Sequence, residues 1–253
     1  MDFLQATILG VVEGVTEFLP ISSTAHLILV SDILKLTQTN FIKSFEITIQ
    51  LGAILAVIFL YWNSLCDLKT IKKLIVAFIP TGILGLIFYK IIKTYLLGNV
   101  SVVLWALLLG GLFLIVFEGW HKKRGDAAEN VSEISYKHCF YIGIFQSIAM
   151  IPGVSRSAAT ILGGLALGLK RKTIVEFSFL LAVPTMLAAT SLDLLKNASS
   201  FSLSDFHLIF IGFFTSFIMA IIGIKFLLAY IQKKSFTLFG IYRIILAILF
   251  LVK

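Results

Sequence analysis

Two short stretches of this sequence hold most of the side chains that could do chemistry in otherwise apolar surroundings. The first reads Glu13-Gly-Val-Thr-Glu17-Phe-Leu-Pro20-Ile-Ser22-Ser23-Thr24-Ala-His26, and the second Pro152-Gly-Val-Ser155-Arg156-Ser157-Ala-Ala-Thr160. Glu13 and Glu17 are four residues apart and share one face of a helix. Adjacent carboxylates can hold a divalent cation or take acid and base roles. Ser23 and His26 are three apart and can also share a face, and a hydroxyl near an imidazole is a minimal activated nucleophile. Arg156 is a fixed cation whose forked donors suit phosphate. In each stretch a Pro precedes a serine cluster. Pro removes a backbone donor and clashes with the turn before it, and Ser or Thr just beyond is a good cap for a new helix. Such helix N-termini carry free N–H groups and partial positive charge, which bind phosphate. Anion-binding helix ends, an arginine, a hydroxyl, a histidine and a carboxylate pair together suit phosphoryl transfer, which needs mostly positioning and charge stabilisation.

The elements that must position these groups belong to a membrane protein. Of 253 residues, 59% are hydrophobic and only 13% charged, with 23 Phe, and the mean hydropathy is +1.02. A soluble domain carries about a quarter charged residues. Long apolar stretches recur along the whole chain, so they are neither one signal peptide nor one anchor, and Met1-Asp2-Phe3 is not a basic leader. The net charge of +8 sits largely in short loops and reads as membrane orientation, with no nucleic-acid partner. Cys66 and Cys139 fit no metal motif and are expected to be inert. Six segments, about 45–62, 71–92, 99–118, 174–195, 205–231 and 236–252, are expected to cross the bilayer.

Two further apolar segments, about 1–30 and 138–168, hold the chemical stretches and are broken by Pro20 and Pro152. Each is expected to form a re-entrant helical hairpin, because broken backbone at membrane depth is tolerated only inside protein or along a cavity. A shift of 133 residues places Gly10 on Gly143, Glu13 on Gln146, Ser22 on Ser155 and Ser23 on Arg156. Three expected spans follow each hairpin. The fold class is therefore an all-α polytopic membrane protein, with six transmembrane helices and two re-entrant hairpins in an inverted repeat. It forms a single integral membrane domain (1–253) with pseudo-repeats of about 1–118 and 138–253, and its site is at the repeat interface near the midplane. With the N-terminus outside, the inner loops hold twelve Lys and Arg, including Lys122, Lys123 and Arg124, against six outside, including Lys93, Lys196 and Lys253. Arg243 and Lys225 read as cations near span ends that snorkel outward, and Glu118 as a solvated interface residue.

The two stretches resemble the two signature motifs of the undecaprenyl-diphosphate phosphatase family, also called the bacitracin-resistance family. The resemblance spans essentially the full chain, including Phe45-Glu46-Ile-Thr-Ile-Gln50 and Glu176-Phe-Ser-Phe-Leu-Leu-Ala-Val-Pro184. It implies removal of the terminal phosphate from undecaprenyl diphosphate, which recycles the carrier for peptidoglycan synthesis, and bacitracin resistance, because the antibiotic binds that diphosphate. It implies a bacterial plasma-membrane location with the site open to the outer face. By position, Glu13 and Glu17 match the acidic motif, Ser23 the nucleophile, His26 the essential histidine and Arg156 the essential arginine. A divalent cation, Mg or Ca, is implied too, and Glu13 and Glu17 are its candidate ligands. Ser22, Thr24, Ser155, Ser157 and Thr160 are candidate substrate-binding hydroxyls, although Ser22 and Thr24 equally suit caps or helix contacts. The expected mechanism has Ser23 attacking phosphorus with His26 as base; His26 as nucleophile and direct attack by water are its alternatives. The rival reading is a polyprenyl-phosphate transporter using the same anion site. The partners are the polyprenyl diphosphate and membrane lipids, and a homodimer is compatible with the sequence.

Overall fold

The computed structural model describes residues 1–37, 39–96, 99–120, 128, 130–197 and 206–252, the side chains of Asn40, Tyr89, Lys93 and residues 192–197 excepted. The loop cations Lys122, Lys123 and Arg124, the Lys93 and Lys196 side chains, and Lys253 lie outside this description. The regular elements among the described residues are all helical. In chain order they are α1 (Phe3–Thr16), α2 (Ser23–Ile33), α3 (Asn40–Leu60), α4 (Trp62–Cys66), α5 (Leu68–Ile91), α6 (Val100–Trp120), α7 (Tyr136–Ser147), α8 (Arg156–Ala166), α9 (Arg171–Asn197), α10 (Phe206–Lys233) and α11 (Thr237–Leu251).

The breaks fall where the prolines require them. A capping box starts α1: Asp2 Oδ1 accepts from the Gln5 amide, and Gln5 Oε1 from the Asp2 amide, each at 2.8 Å. The helix stops at Thr16, the residue whose carbonyl Pro20 would have had to reach. In the same way α7 ends at Ser147 and a short 3₁₀ turn runs over Ile148–Met150 before Pro152. Each following helix starts from a serine held at positive φ, Ser22 at 70° and Ser155 at 78°. Each of these caps accepts from the amide three residues on, Ala25 or Ala158. Pro80 and Pro184, by contrast, sit inside α5 and α9 without ending them. Each is followed by a Thr, and Gln146 of α7 donates to both Thr81 and Thr185, at 2.9 and 3.2 Å. Thr81 in turn donates to the Gly143 carbonyl of α7 at 2.9 Å, and Thr185 to the Leu181 carbonyl within α9 at 2.8 Å.

Among the described residues five helices are long and apolar enough to cross a membrane: Phe41–Leu60, Leu68–Phe88, Val100–Trp120, Arg171–Ser191 and Phe206–Lys233. The sixth expected crossing is the 15-residue α11. Outward faces are apolar, with Leu86, Trp105, Val116 and Phe210 all exposed, as suits hydrocarbon surroundings. The chain is thus a multi-pass membrane protein.

The packing is paired. Helix α1, which leads into the first break, lies on α10, and α7, which leads into the second, lies on α5. Helix α3 packs on α10 and α9, and α5 also meets α9. Helices α6 and α11 cross at two glycines, where a Cβ on Gly111 or Gly240 would sit 2.7 Å from the other's carbonyl oxygen. That close crossing brings α11, the last helix, against the centre of the molecule.

Gly153 is the backbone hinge of the second break. Its φ is +95°, and a Cβ there would lie 2.6 Å from the Val103 carbonyl oxygen. Gly153→Ala should therefore cost about 1–2 kcal/mol for the left-handed backbone alone, with the contact adding to it. In thermal unfolding of the detergent-solubilised protein, a fall of roughly 4 °C or more is expected. Gly119→Ala, which meets nothing within 4 Å, should leave the midpoint unchanged. Equal midpoints for the two variants would refute this account of the turn.

Candidate active site

The two Pro-Ser breaks meet in the interior. Ser157 Oγ donates to the Leu19 carbonyl at 2.8 Å, tying the second break to the first. Arg156, the first residue of α8, reaches across to the first hairpin and donates from Nη2 to Glu17 Oε1 at 3.0 Å. Its Nη1 donates to the Ser178 carbonyl at 2.6 Å on α9. Its Nε, also buried, has no protein partner and is a donor left over for an anion. The N-termini of α2 and α8 thus converge, and their first-turn N–H groups precede any intrahelical acceptor. Two positive helix ends and a guanidinium around one point form an anion site.

Glu17 is the hub. Its second oxygen, Oε2, accepts a short hydrogen bond from the Ser23 hydroxyl. One carboxylate therefore holds the hydroxyl proton on one side and the guanidinium on the other. This is the order in which a hydroxyl, a carboxylate and an orienting cation would have to stand for the carboxylate to act as a base. Serine and carboxylate meet because the chain folds back through Pro20 between them.

The expected Ser23–His26 pairing is not made. A helical side chain leans toward its own N-terminus, so the His26 ring turns back on the cap. Its Nδ1 lies 2.7 Å from the Ser22 carbonyl, and its Nε2 lies 2.7 Å from the Tyr242 hydroxyl of α11. The two rings lie nearly parallel, 7° apart with centroids at 5.5 Å. Tyr242 is a neighbour that spacing along the chain could not suggest.

Glu13 is fully buried beside the carboxyl of Glu17, with which it can share a hydrogen bond only when one of the two is protonated, and neither of its oxygens receives a hydrogen bond from any other donor. The charges acting on it are the carboxylates of Glu17 and Glu46 and the guanidinium of Arg156. Glu46 accepts from Ser31 at 2.9 Å. Among the described residues no cluster of three or more His, Cys, Asp or Glu could hold a metal ion. Both oxygens of Glu17 are already engaged. Glu13, its neighbour, is the carboxylate of the pair that receives no N–H or hydroxyl donor, and it fits a hard cation that takes one or two carboxylates and completes its shell with substrate phosphate and water.

The remaining candidate hydroxyls divide. Ser22 and Ser155 serve as the caps. Ser155 also contacts Ser157 at 3.1 Å. Thr160 bonds back to the Arg156 carbonyl at 3.0 Å and meets Ser178 Oγ at 2.6 Å, which buttresses the arginine's own partner. Thr24 is exposed.

Arg243 overturns its reading as a snorkelling cation. It is fully buried, and its guanidinium donates to five backbone carbonyls. These belong to Pro20 in the first break, Gly153 and Val154 in the second, and Ala106 and Leu107 on α6. Both breaks are thus clamped by one side chain of α11. Glu118 is likewise no solvated rim residue: its side chain pairs with Arg171 at 2.9 Å and accepts from the Phe236 amide at 2.9 Å, at the start of α11.

The family model for "Bacitracin resistance protein BacA" matches residues 6–249 of the chain. Among curated proteins, the undecaprenyl-diphosphatase of Sulfurihydrogenibium sp. is 55% identical over 250 residues, covering 99% of this chain and 98% of that protein. The undecaprenyl-diphosphatase of Aquifex aeolicus is 52% identical over 250 residues, covering 97% and 96%. That of Persephonella marina is 53% identical over 252 residues, covering 99% and 98%.

Proposed function

The chain belongs to the bacitracin resistance protein BacA family, and on that premise we propose that it hydrolyses undecaprenyl diphosphate to undecaprenyl phosphate and inorganic phosphate. It is a membrane hydrolase that regenerates a lipid carrier for peptidoglycan synthesis, and by consuming the diphosphate it confers bacitracin resistance. The relatives' names support hydrolysis and lend nothing to the transport alternative. The observation that carries the chemical reading is Glu17 set between the Ser23 hydroxyl and the Arg156 guanidinium.

The diphosphate lies at the two converging helix N-termini, with Arg156 Nε and first-turn amides against its terminal phosphate oxygens. Ser23 Oγ attacks the terminal phosphorus while Glu17 takes the hydroxyl proton. The bond from that phosphorus to the bridging oxygen breaks, and undecaprenyl phosphate leaves. Glu17 passes its proton to the departing undecaprenyl phosphate. Water then attacks the phosphoserine while Glu17 takes the water proton. Glu17 returns that proton to Ser23 Oγ as the bond from phosphorus to the serine oxygen breaks and inorganic phosphate departs. Ser23 is favoured over His26 as nucleophile because both ring nitrogens of His26 are already engaged. A divalent cation held by Glu13 would neutralise charge on the diphosphate when bound.

The finer topology is part of the same proposal: two re-entrant hairpins and six crossings in an inverted repeat, in the plasma membrane, with the site open to the outer face. Three observations support it. The breaks share the same positive-φ serine cap. The packing of α1 on α10 is matched by that of α7 on α5, which exchanges the two halves. The α6–α11 crossing pairs glycines reciprocally.

Phosphate release from undecaprenyl diphosphate by the purified protein tests the activity. Ser23→Ala should lower it by about 1,000-fold or more. Rapid quenching with terminally labelled substrate should place a phosphoryl adduct on Ser23 of the unaltered protein. A chelator should suppress release, and Mg²⁺ should restore it. An adduct on His26, or full activity in Ser23→Ala, would refute the assignment of roles; a pure protein that binds the lipid and releases no phosphate would refute hydrolysis.

A further inference from the structure

The proposed chemistry leaves one contact in the site without a role: the Tyr242 hydroxyl on His26 Nε2 at 2.7 Å. His26 is buried, and Tyr242 is half-exposed at the edge of the site. The Ser22 carbonyl that meets Nδ1 at 2.7 Å has no proton to give, so Nδ1 carries the hydrogen of that bond. In the neutral ring Nε2 is then the lone pair, and the tyrosine donates to it. Free imidazole in water prefers the opposite tautomer, so two partners hold this one in place.

A tyrosine hydroxyl both donates and accepts. When Nε2 gains a proton, the same hydroxyl can turn its lone pair to the ring without either side chain moving. The nearly parallel rings, 7° apart with centroids at 5.5 Å, meet at their edges, so the hydroxyl approaches Nε2 close to the plane of the imidazole, where its lone pair lies. The next residue, Arg243, is fixed by five carbonyl bonds, so Tyr242 sits on a part of α11 that does not drift. A group that orients a working side chain is effective only when its own support is rigid.

We infer that Tyr242 is a positioning residue of the reaction: together with the Ser22 carbonyl it fixes the His26 ring in the first turn of α2, the helix end against which the diphosphate lies. The inference deepens the phosphatase reading and rests on it. It adds a residue from the far end of the chain to a site whose other members lie in the two broken hairpins and α9.

The test uses the full-length protein in detergent or nanodiscs. Tyr242→Phe removes one oxygen and keeps the aromatic ring. Its kcat on undecaprenyl diphosphate should fall roughly 10- to 100-fold, the usual cost of losing a group that orients a functional imidazole, with KM within about twofold. The ring nitrogens of ¹⁵N-histidine-labelled protein report the tautomer, with His26→Gln identifying the resonance among the four histidines. The unaltered protein should show Nδ1–H at His26, and Tyr242→Phe should keep that tautomer through the Ser22 carbonyl but shift the Nε2 resonance, whose lone pair has lost its donor, at an unchanged melting temperature. Unchanged kcat in Tyr242→Phe overturns the inference, as does lowered kcat with the Nε2 resonance unmoved. If the unaltered protein releases no phosphate, the hydrolase reading falls first. The resonance measurement then stands alone, and an Nε2–H ring in the unaltered protein overturns the positioning of His26 by Tyr242.

Discussion

Glu17→Gln is expected to reduce phosphate release by about 1,000- to 10,000-fold, the upper range for loss of a positioned general base. The reason is donor–acceptor arithmetic. Glu17 accepts on both sides, from Ser23 at Oε2 and from Arg156 at Oε1. Glutamine offers one oxygen and one NH₂ group. Whichever way the amide turns, its NH₂ faces either the guanidinium or the serine oxygen. With the oxygen toward Arg156, the Ser23 proton has no base; with it toward Ser23, the arginine loses its charged partner in a buried site. Removing one member of a buried ion pair costs about 3–5 kcal/mol, because the other charge is left uncompensated. Two readouts separate the effects. Melting of the detergent-solubilised variant should show the stability loss, and Glu17→Gln combined with Arg156→Met should recover part of it. Phosphate release should not recover in the double variant. Activity within tenfold of the unaltered protein in Glu17→Gln would exclude Glu17 as the base of Ser23.

The hub could be read only in part from the chain. The breaks themselves were legible, because proline followed by capping serines acts within four residues, and α1, α2, α7 and α8 begin and end accordingly. The long apolar helices were legible from hydropathy, to within a few residues at their ends. Side-chain partners were less so. Spacing along a helix says which residues share a face, and on that ground Ser23 and His26 looked like a pair. Rotamer direction decided otherwise, turning His26 back onto Ser22 and leaving Ser23 to a residue six positions earlier. The partners from α11 carried no local signal at all. Tyr242 and Arg243 stand in an apolar helix with nothing around them to mark a site, and their role arises only because Gly111 and Gly240 let α11 approach α6 closely. The contact between the two breaks, 138 positions apart between Leu19 and Ser157, is of the same kind.

Lys225 and Arg243 make the point in energetic form, since the chain presents them alike, as single cations in apolar helices. Lys225 is exposed, and Lys225→Met should change stability by no more than about 0.5 kcal/mol. Arg243 is buried, with its five donors on five carbonyls. Two of those carbonyls, Ala106 and Leu107, lie on α6 and keep helical partners; Pro20, Gly153 and Val154 lie in the breaks and do not. Each buried carbonyl left without a donor costs about 1–3 kcal/mol. Arg243→Met should therefore remove roughly 3–9 kcal/mol, a large part of the 5–15 kcal/mol that holds an ordinary domain together. The expected result is a protein that melts at least about 10 °C lower in detergent or fails to accumulate folded. Arg243→Lys separates charge from geometry. It keeps the cation, but an ammonium is one point with three donors and cannot span carbonyls on three segments. That variant should fold, melt at an intermediate temperature, and release phosphate at least about 100-fold more slowly, because the two helix N-termini that face the diphosphate are no longer held in register. If Arg243→Met melts like the unaltered protein, the breaks are held together by Ser157 and Arg156 without the α11 cation.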